Sequence, residues 1–186
     1  SRGKPGITWT MISGEPGFRL KAPNDEFDSA SPTILATSPS ADMLAVLGYL
    51  NSAAALEILA AINPTINNRV TDILELPVLE ALESRRHEVR ALAGRAVEAS
   101  RALDSMSETT CDVAEPPVLR GQCDKAEDAI VVAVSQAVRQ AEEVSAAERG
   151  LDDIFPAGGS FSPRRGWPGT LPDKRARVAD LVSYAV

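Results

Sequence analysis

Aromatic side chains are scarce in this chain of 186 residues, where they make up 4% of the sequence. Hydrophobic residues as a whole reach 44%, which is enough to build a core. Because alanine and valine are abundant, closely packed helices are expected in place of a sandwich of large aromatic residues. The length suits one medium domain, or a small domain with an appendage.

Cysteine and histidine are also nearly absent, which limits metal and nucleophilic chemistry. Cys111 and Cys123 lie in one loop-like region, and zinc sites need four ligands at shorter spacings. We expect two free thiols, since disulfides are rare in a reducing compartment. The single histidine, His87, lies on a charged predicted helix, where a solvated position is expected. No Ser-His-Asp site and no glycine-rich phosphate loop can be assembled from these residues.

Long hydrophobic runs are missing as well. The longest, Met43–Ile62, is interrupted by polar residues and by Gly48, whereas a membrane span needs ~20 apolar residues. The N-terminus lacks the apolar stretch of a signal peptide. We therefore expect a soluble, cytoplasmic chain with no membrane partner. Neither end resembles a natural terminus, so the sequence is interpreted as a fragment.

The charge is negative overall and unevenly distributed. The formal net charge is −7, which is atypical of a nucleic-acid binder. Residues 124–156 hold three basic and eight acidic side chains, a balance of −5, and residues 157–186 hold five basic and two acidic, a balance of +3. Any contact with DNA would therefore be a local patch.

The pattern along the chain predicts an α+β fold that is mostly α. Short apolar runs bounded by Gly and Pro at Ile7–Ser13, Phe18–Lys21 and Thr33–Thr37 predict a small, irregular antiparallel sheet. Two short helices follow. Ser40 is the predicted N-cap of the first, with Asp42 in its first turn, while Asn51-Ser52 begins the second and Pro64 stops it. Residues 65–77 are predicted to be extended.

Two longer helices are predicted downstream, from Leu79 to about Leu103 and from near Asp124 to Phe155. Each carries a narrow apolar seam at three- and four-residue steps, which favours an antiparallel helical hairpin. The alternative is that both helices pack on a globular core. The seams comprise Leu82, Val89, Ala93, Ala96 and Leu103 in the first helix, and Ile130, Val134, Ala137, Ala141, Val144, Leu151 and Phe155 in the second. The predicted regions are 1–78 (α+β), 79–156 (hairpin) and 157–186 (Gly/Pro-rich linker and the start of a C-terminal helix).

Residues 47–78 contain a series of short motifs, which are Leu50-Asn51-Ser52, Asn63-Pro64-Thr65, Asn67-Asn68, Thr71-Asp72-Ile73 and Leu76-Pro77-Val78. This series resembles the C-terminal half of the adenine-specific DNA methyltransferases of BREX and phage-growth-limitation (PglX-like) defence systems. Further similar segments precede and follow them in the family's order. These are Ile7-Thr8-Trp9, residues 17–20, residues 104–113 with Pro116-Pro117, residues 141–155, and residues 177–186. In residues 104–113, Met106 and Cys111 replace the family's aromatic residues.

The resemblance implies a non-catalytic part in recognition of the DNA target, with the hairpin as spacer or support. The family's S-adenosylmethionine and catalytic motifs lie N-terminal to this region, so no cofactor or catalytic residue is assigned to this chain. Asn63-Pro64-Thr65 lacks the second Pro and the aromatic residue of the catalytic Asn-Pro-Pro-aromatic loop, and is interpreted as a helix stop. The implied partners are double-stranded DNA, the rest of the methyltransferase and other defence proteins.

The candidate DNA contacts are residues able to bind phosphate or base edges. They are Arg19, Lys21, Asn67, Asn68, Arg69, Arg164 and Arg165. Asn67 could instead form a turn, and Arg164-Arg165 could belong to a solvated linker. The competing hypothesis for the whole chain is a structural or protein-interaction module, in which the acidic hairpin forms oligomers or docks another protein without touching DNA.

Overall fold

The computed structural model describes residues 4–22, 25, 29–38, 41–106, 125–159 and 163. Of these residues 58% are helical, and the remainder includes one small three-stranded antiparallel sheet. The predicted α+β, mostly α class is confirmed. The elements are β1 (Gly6–Thr8), β2 (Arg19–Lys21), β3 (Thr33–Leu35), α1 (Met43–Leu50), α2 (Ala53–Ile62), α3 (Val70–Leu74), α4 (Glu80–Ser84), α5 (Arg86–Asp104) and α6 (Ala126–Ile154).

The sheet has the order β2-β1-β3, with both pairings antiparallel. Ile7 in the central strand pairs with Leu20 on one side and Ile34 on the other, and its side chain is fully buried. The strands are shorter than predicted. In particular, the β-branched run Ile7–Ser13 continues β1 only to Thr8, and the chain then bends before Ile12 forms an isolated bridge with Asn67.

Side-chain caps begin the first two helices. The carboxylate of Asp42 accepts a hydrogen bond from the backbone N–H of Ala45 at 3.1 Å, so Asp42, and not Ser40 as predicted, is the N-cap of α1. The N-cap of α2 is Ser52, whose hydroxyl accepts from the N–H of Ala55 at 3.4 Å. This second cap was predicted correctly, and α2 ends at Ile62, just before Pro64.

Two other predictions of local structure were wrong. Residues 65–77 are not extended throughout, because Val70–Leu74 form the short helix α3. The helix predicted from Leu79 to Leu103 is two helices, α4 and α5, separated at Arg85. Both five-residue helices are too short to display an amphipathic period, which is the signal on which sequence reasoning depends.

Contacts divide the chain into two compact units. The first is Ser1–Gly94 with Ala147–Arg164, and the second is Arg95–Ala146 with Arg165–Val186. The first unit holds a core in which Tyr49 and Phe155 meet edge to face at a centroid distance of 5.3 Å. The other buried members of this cluster are Ala45, Ala54, Ala55, Leu82, Val89, Leu151 and Ile154. The predicted division at residues 78 and 156 stays a prediction.

In the second unit the C-terminal part of α5 packs against α6 through small residues. Ala99 and Leu103 of α5 form a cluster with Ala137 and Val144 of α6. An exposed ion pair joins the Nε of Arg95 to the carboxylate of Glu143 at 2.6 Å. This cluster brings Leu103 of the first predicted seam together with Ala137 and Val144 of the second. Residues 107–124, which include Cys111 and Cys123, lie outside the described residues.

Across the described ranges, no single helix has both the length and the apolar composition needed to cross a membrane. Helices α1 and α2 reach that composition only together, as a pair bent by 63°.

Candidate nucleic-acid interface

Residues 63–69, here called the 63–69 loop, follow α2 and are joined to residues 11–13 by main-chain hydrogen bonds. The N–H of Ser13 donates to the carbonyl of Ile66 at 2.9 Å, and the N–H of Asn68 donates to the carbonyl of Met11 at 2.7 Å. Between these two bonds, Ile12 and Asn67 form an antiparallel bridge. The loop is therefore fixed by strand-like pairing, although neither segment is a regular strand.

Side chains strengthen the same junction. The indole N–H of Trp9 donates to the carbonyl of Asn68 at 2.9 Å, while the indole itself is buried and tilted against the ring of Phe18 at 5.8 Å. The amide nitrogen of Asn68 donates to the carbonyl of Ser13 at 3.0 Å and lies 3.3 Å from its hydroxyl. Polar groups removed from water are costly unless they are hydrogen-bonded, so these bonds favour this register of the junction.

Asn63 organises the inside of the loop. Its side-chain oxygen accepts hydrogen bonds from the N–H of Thr65 at 3.1 Å and from the hydroxyl of Thr65 at 2.7 Å, which makes a side-chain-capped turn. Its amide nitrogen donates to the carbonyl of Asn67 at 2.7 Å and to the carboxylate of Asp72 at 2.6 Å. Asn63 thus does more than mark the helix stop proposed for Asn63-Pro64-Thr65.

Asp72 is a buried carboxylate in α3 that holds the end of the loop. It accepts from the backbone N–H of Arg69 at 3.1 Å, and its two oxygens accept from the Nε (3.3 Å) and Nη2 (2.9 Å) of the Arg69 guanidinium. These bonds from Arg69, with the one from Asn63, outweigh the effect of burial and lower the pKa of Asp72 to about 2. The same partnership raises the pKa of Arg69. The pair stays ionised at any physiological pH.

The Leu50-Asn51-Ser52 motif holds neighbouring elements to the sheet region. The side-chain amide of Asn51 exchanges two hydrogen bonds with the main chain of Phe18, donating at 3.0 Å and accepting at 3.3 Å. Ser52 is fully buried and caps α2. The hydroxyl of Tyr49 donates to the carbonyl of Pro77 at 2.5 Å, and burial raises the pKa of this tyrosine. The motif residues therefore have structural partners within the first unit.

Two of the predicted contact residues, Arg19 and Asn67, lie against residues 10–13, and Arg69 follows on the same loop. The guanidinium of Arg19 donates to the hydroxyl of Thr10 at 2.8 Å on the exposed surface. Asn67 is exposed opposite Ile12, and no partner of its side-chain amide is found in the part of the chain that the structure describes. Arg69 ends the loop, with 60% of its side chain exposed.

Two of the remaining predicted contacts, Lys21 and Asn68, are not presented to solvent at this surface. Lys21 is buried, and its ammonium donates to the carbonyl of Ala22 at 3.1 Å, which leaves it unsuited to a phosphate contact. Asn68 is half-buried, and its amide nitrogen donates to the carbonyl of Ser13. Its side chain therefore stabilises the loop and does not face outward. Arg164 and Arg165 lie outside the described residues.

Sequence reasoning missed Asn63 and Asp72 as the organisers of the loop. It also missed an apolar group exposed on and beside it. Ile12 and Ile66 are exposed next to Asn67, and Val70 and Leu74 are exposed one helical turn apart on α3. The signal in the sequence was the presence of the β-branched residues Ile66 and Val70 beside Asn67 and Arg69, since apolar side chains also bind thymine methyl groups.

No known protein family matches the chain, and neither does any curated protein or solved structure. Among the described residues, no group of three His, Cys, Asp or Glu side chains could hold a metal ion.

Proposed function

We propose that this chain is the non-catalytic DNA-recognition region of an N6-adenine DNA methyltransferase of a phage-defence system similar to restriction-modification. The observation that carries the proposal is that Arg19 and Asn67 both lie against residues 10–13, with the exposed Arg69 two residues further along the same loop. The ordered motifs of residues 47–78 support the choice of enzyme class. Methyl transfer and the S-adenosylmethionine that supplies the methyl group belong, in this proposal, to the rest of the methyltransferase.

The chemistry of the three side chains suits duplex DNA. The Asn67 side-chain amide has one donor and one acceptor side by side, the pattern that pairs with N6 and N7 of adenine in the major groove. Arg19 carries a positive charge on the edge strand β2, suited to a phosphate. Because main-chain bonds fix the 63–69 loop, little backbone entropy is lost when Asn67 binds.

Charge also indicates which parts of the chain avoid DNA. The first turn of α6 carries Glu127 and Asp128, and residues 124–156 have a balance of −5. DNA would be repelled by this helix, so we assign α6 to spacing or to contacts with protein. The proposed DNA surface is limited to the 63–69 loop, residues 10–13 and Arg19.

The proposal is tested by measuring the affinity of the full chain for mixed-sequence 30-base-pair duplexes by fluorescence anisotropy, at about 50 and 200 mM salt. We expect weak binding that falls as salt rises, because phosphate contacts release counterions. R19A should weaken it, whereas R139A, which removes the same charge from an exposed position on α6, should not. Absence of salt-sensitive binding, or equal losses in both variants, would reject the proposal.

One observation favours the second candidate, a protein-interaction module. Val131, Val132 and Val138 are exposed on α6, at 41%, 43% and 40%. An apolar strip on an acidic helix fits docking of another copy or of another defence protein better than it fits DNA. Light scattering of the full chain tests this. A mass that rises with concentration, and returns to the monomer in V131S/V138S, would support oligomerisation through α6.

A further inference from the structure

The pairing of Arg69 with Asp72 leaves one edge of the guanidinium without a partner among the described residues. An arginine has five N–H donors arranged in a planar fork. Asp72 accepts from Nε and from Nη2, which occupies the side edge of the group. The far edge, formed by Nη1 and the second proton of Nη2, can accept another bidentate ligand.

The carboxylate that binds Arg69 is itself held by further hydrogen bonds. Asp72 is buried, with 3% of its surface exposed, and it also accepts from Asn63 at 2.6 Å and from the backbone N–H of Arg69 at 3.1 Å. Arg69, in contrast, is 60% exposed. Because the buried carboxylate holds the exposed guanidinium, the free N–H donors point in a fixed direction before a ligand binds. This lowers the entropy cost of binding.

The pair is also close to electrically neutral. Asp72 remains ionised because its pKa is lowered, and its charge offsets that of Arg69. Long-range attraction to the phosphate backbone is therefore reduced, while the directional donors remain. This combination suits reading of a base edge better than neutralisation of a phosphate, since two parallel donors match O6 and N7 of guanine.

We propose that Arg69 binds a bidentate acceptor pair on DNA, the O6/N7 edge of a guanine, and that Asp72 is its positioning residue. The inference rests on the proposed function, since it requires the first unit to contact DNA. Two oxygens of a phosphate offer the same acceptor chemistry. The experiment below separates the two sources.

The chain offers a matched control. Arg85 and Glu88 form the same kind of pair three residues apart, with Nε–Oε2 and Nη2–Oε1 distances of 2.9 and 2.8 Å. Both partners of this pair are exposed, and neither belongs to the 63–69 loop. R85K therefore replaces a paired guanidinium by an ammonium group at a position outside the proposed DNA surface.

The test selects bound duplexes from a random library with the full chain, then measures affinities of wild type, R69K, D72N and R85K. If Arg69 reads guanine, wild type prefers G at one position. We then expect R69K and D72N to lose about 10-fold of the preference for G over other bases at that position, which is the size expected of one bidentate pair. R85K should keep the preference. If Arg69 binds phosphate, R69K weakens all sequences equally and leaves the base preference unchanged, because lysine keeps the charge and loses only the bidentate geometry.

A second measurement needs no variant and so does not depend on how R69K folds. Replacing the preferred guanine by 7-deazaguanine removes N7 and should weaken wild-type binding about as much as R69K does. DNA binding in which R69K behaves like wild type, together with no effect of 7-deazaguanine, would overturn the role of Arg69 while leaving the proposed function intact. Absence of any DNA binding by wild type would overturn both.

Discussion

The carboxylate of Asp152, near the end of α6, accepts a 2.7 Å hydrogen bond from the backbone N–H of Ala53, the first residue of α2. The next N–H, that of Ala54, donates to the carbonyl of Phe155 at 3.1 Å. The first N–H groups of a helix have no partner within it. In this protein the end of α6 supplies acceptors for two of them, and so ties α6 to α2 within the first unit.

We therefore expect D152A to lower the free energy of unfolding by about 1 kcal/mol, the usual cost of losing a capping acceptor. D153A is the matched control, because Asp153 is the exposed neighbour on the same helix. Urea unfolding followed by circular dichroism measures both. Equal unfolding midpoints for the two variants would show that the bond to Ala53 contributes nothing.

Gly48 allows α1 to approach its neighbours closely. A Cβ at this position would lie 2.9 Å from Cγ1 of Val89 and 3.2 Å from Cβ of Ala93. G48A should therefore destabilise the protein by about 1–3 kcal/mol through overpacking. G94A, whose added Cβ meets nothing within 4 Å, should raise stability by roughly 0.5–1 kcal/mol, because alanine favours helix. Thermal melts of both variants test this, and the same sign of change in both would contradict it.

Asp72 should make stability depend on pH. In the folded chain its pKa is about 2, and in the unfolded chain it returns to about 3.9. A carboxyl group whose pKa is lower in the folded chain stabilises the fold fully at pH values above its unfolded pKa. This stabilisation is lost as the pH falls through the folded pKa. D72N should therefore cost about 1–3 kcal/mol near pH 6, where a buried charged hydrogen-bond network is disrupted.

The difference in free energy of unfolding between wild type and D72N should therefore decrease steadily from pH 5 to pH 3. Urea unfolding at a series of pH values follows it, with D153N as the control for an exposed carboxylate. A difference that stays constant over this range would mean that the charge on Asp72 does not stabilise the loop.

The helical part of the fold could be predicted from sequence because it depends on periodicity. Val89 and Leu103 on α5, and Ala137 and Val144 on α6, are buried where the three- and four-residue spacing predicted. The cap of α2 at Ser52 was also predictable, since serine before an apolar run is a local signal. These features need information only from nearby residues.

The candidate site could be predicted only in part, because its bonds join residues far apart in sequence. Nothing in the pattern around Asn68 indicates that its side chain bonds to Ser13, 55 residues earlier. The burial of Lys21 could not be predicted either, because the three residues of β2 are too few to show which face of the strand is buried. Residue types identified the loop, but tertiary pairing decided which of its side chains face outward.

The claim that the 63–69 loop and residues 10–13 form the DNA surface is tested most directly by hydrogen exchange of the full chain with and without duplex DNA. We predict that DNA slows exchange in peptides covering residues 10–19 and 63–70, and leaves peptides of α6 unchanged. Slowed exchange in α6, with none in the 63–69 loop, would contradict the account.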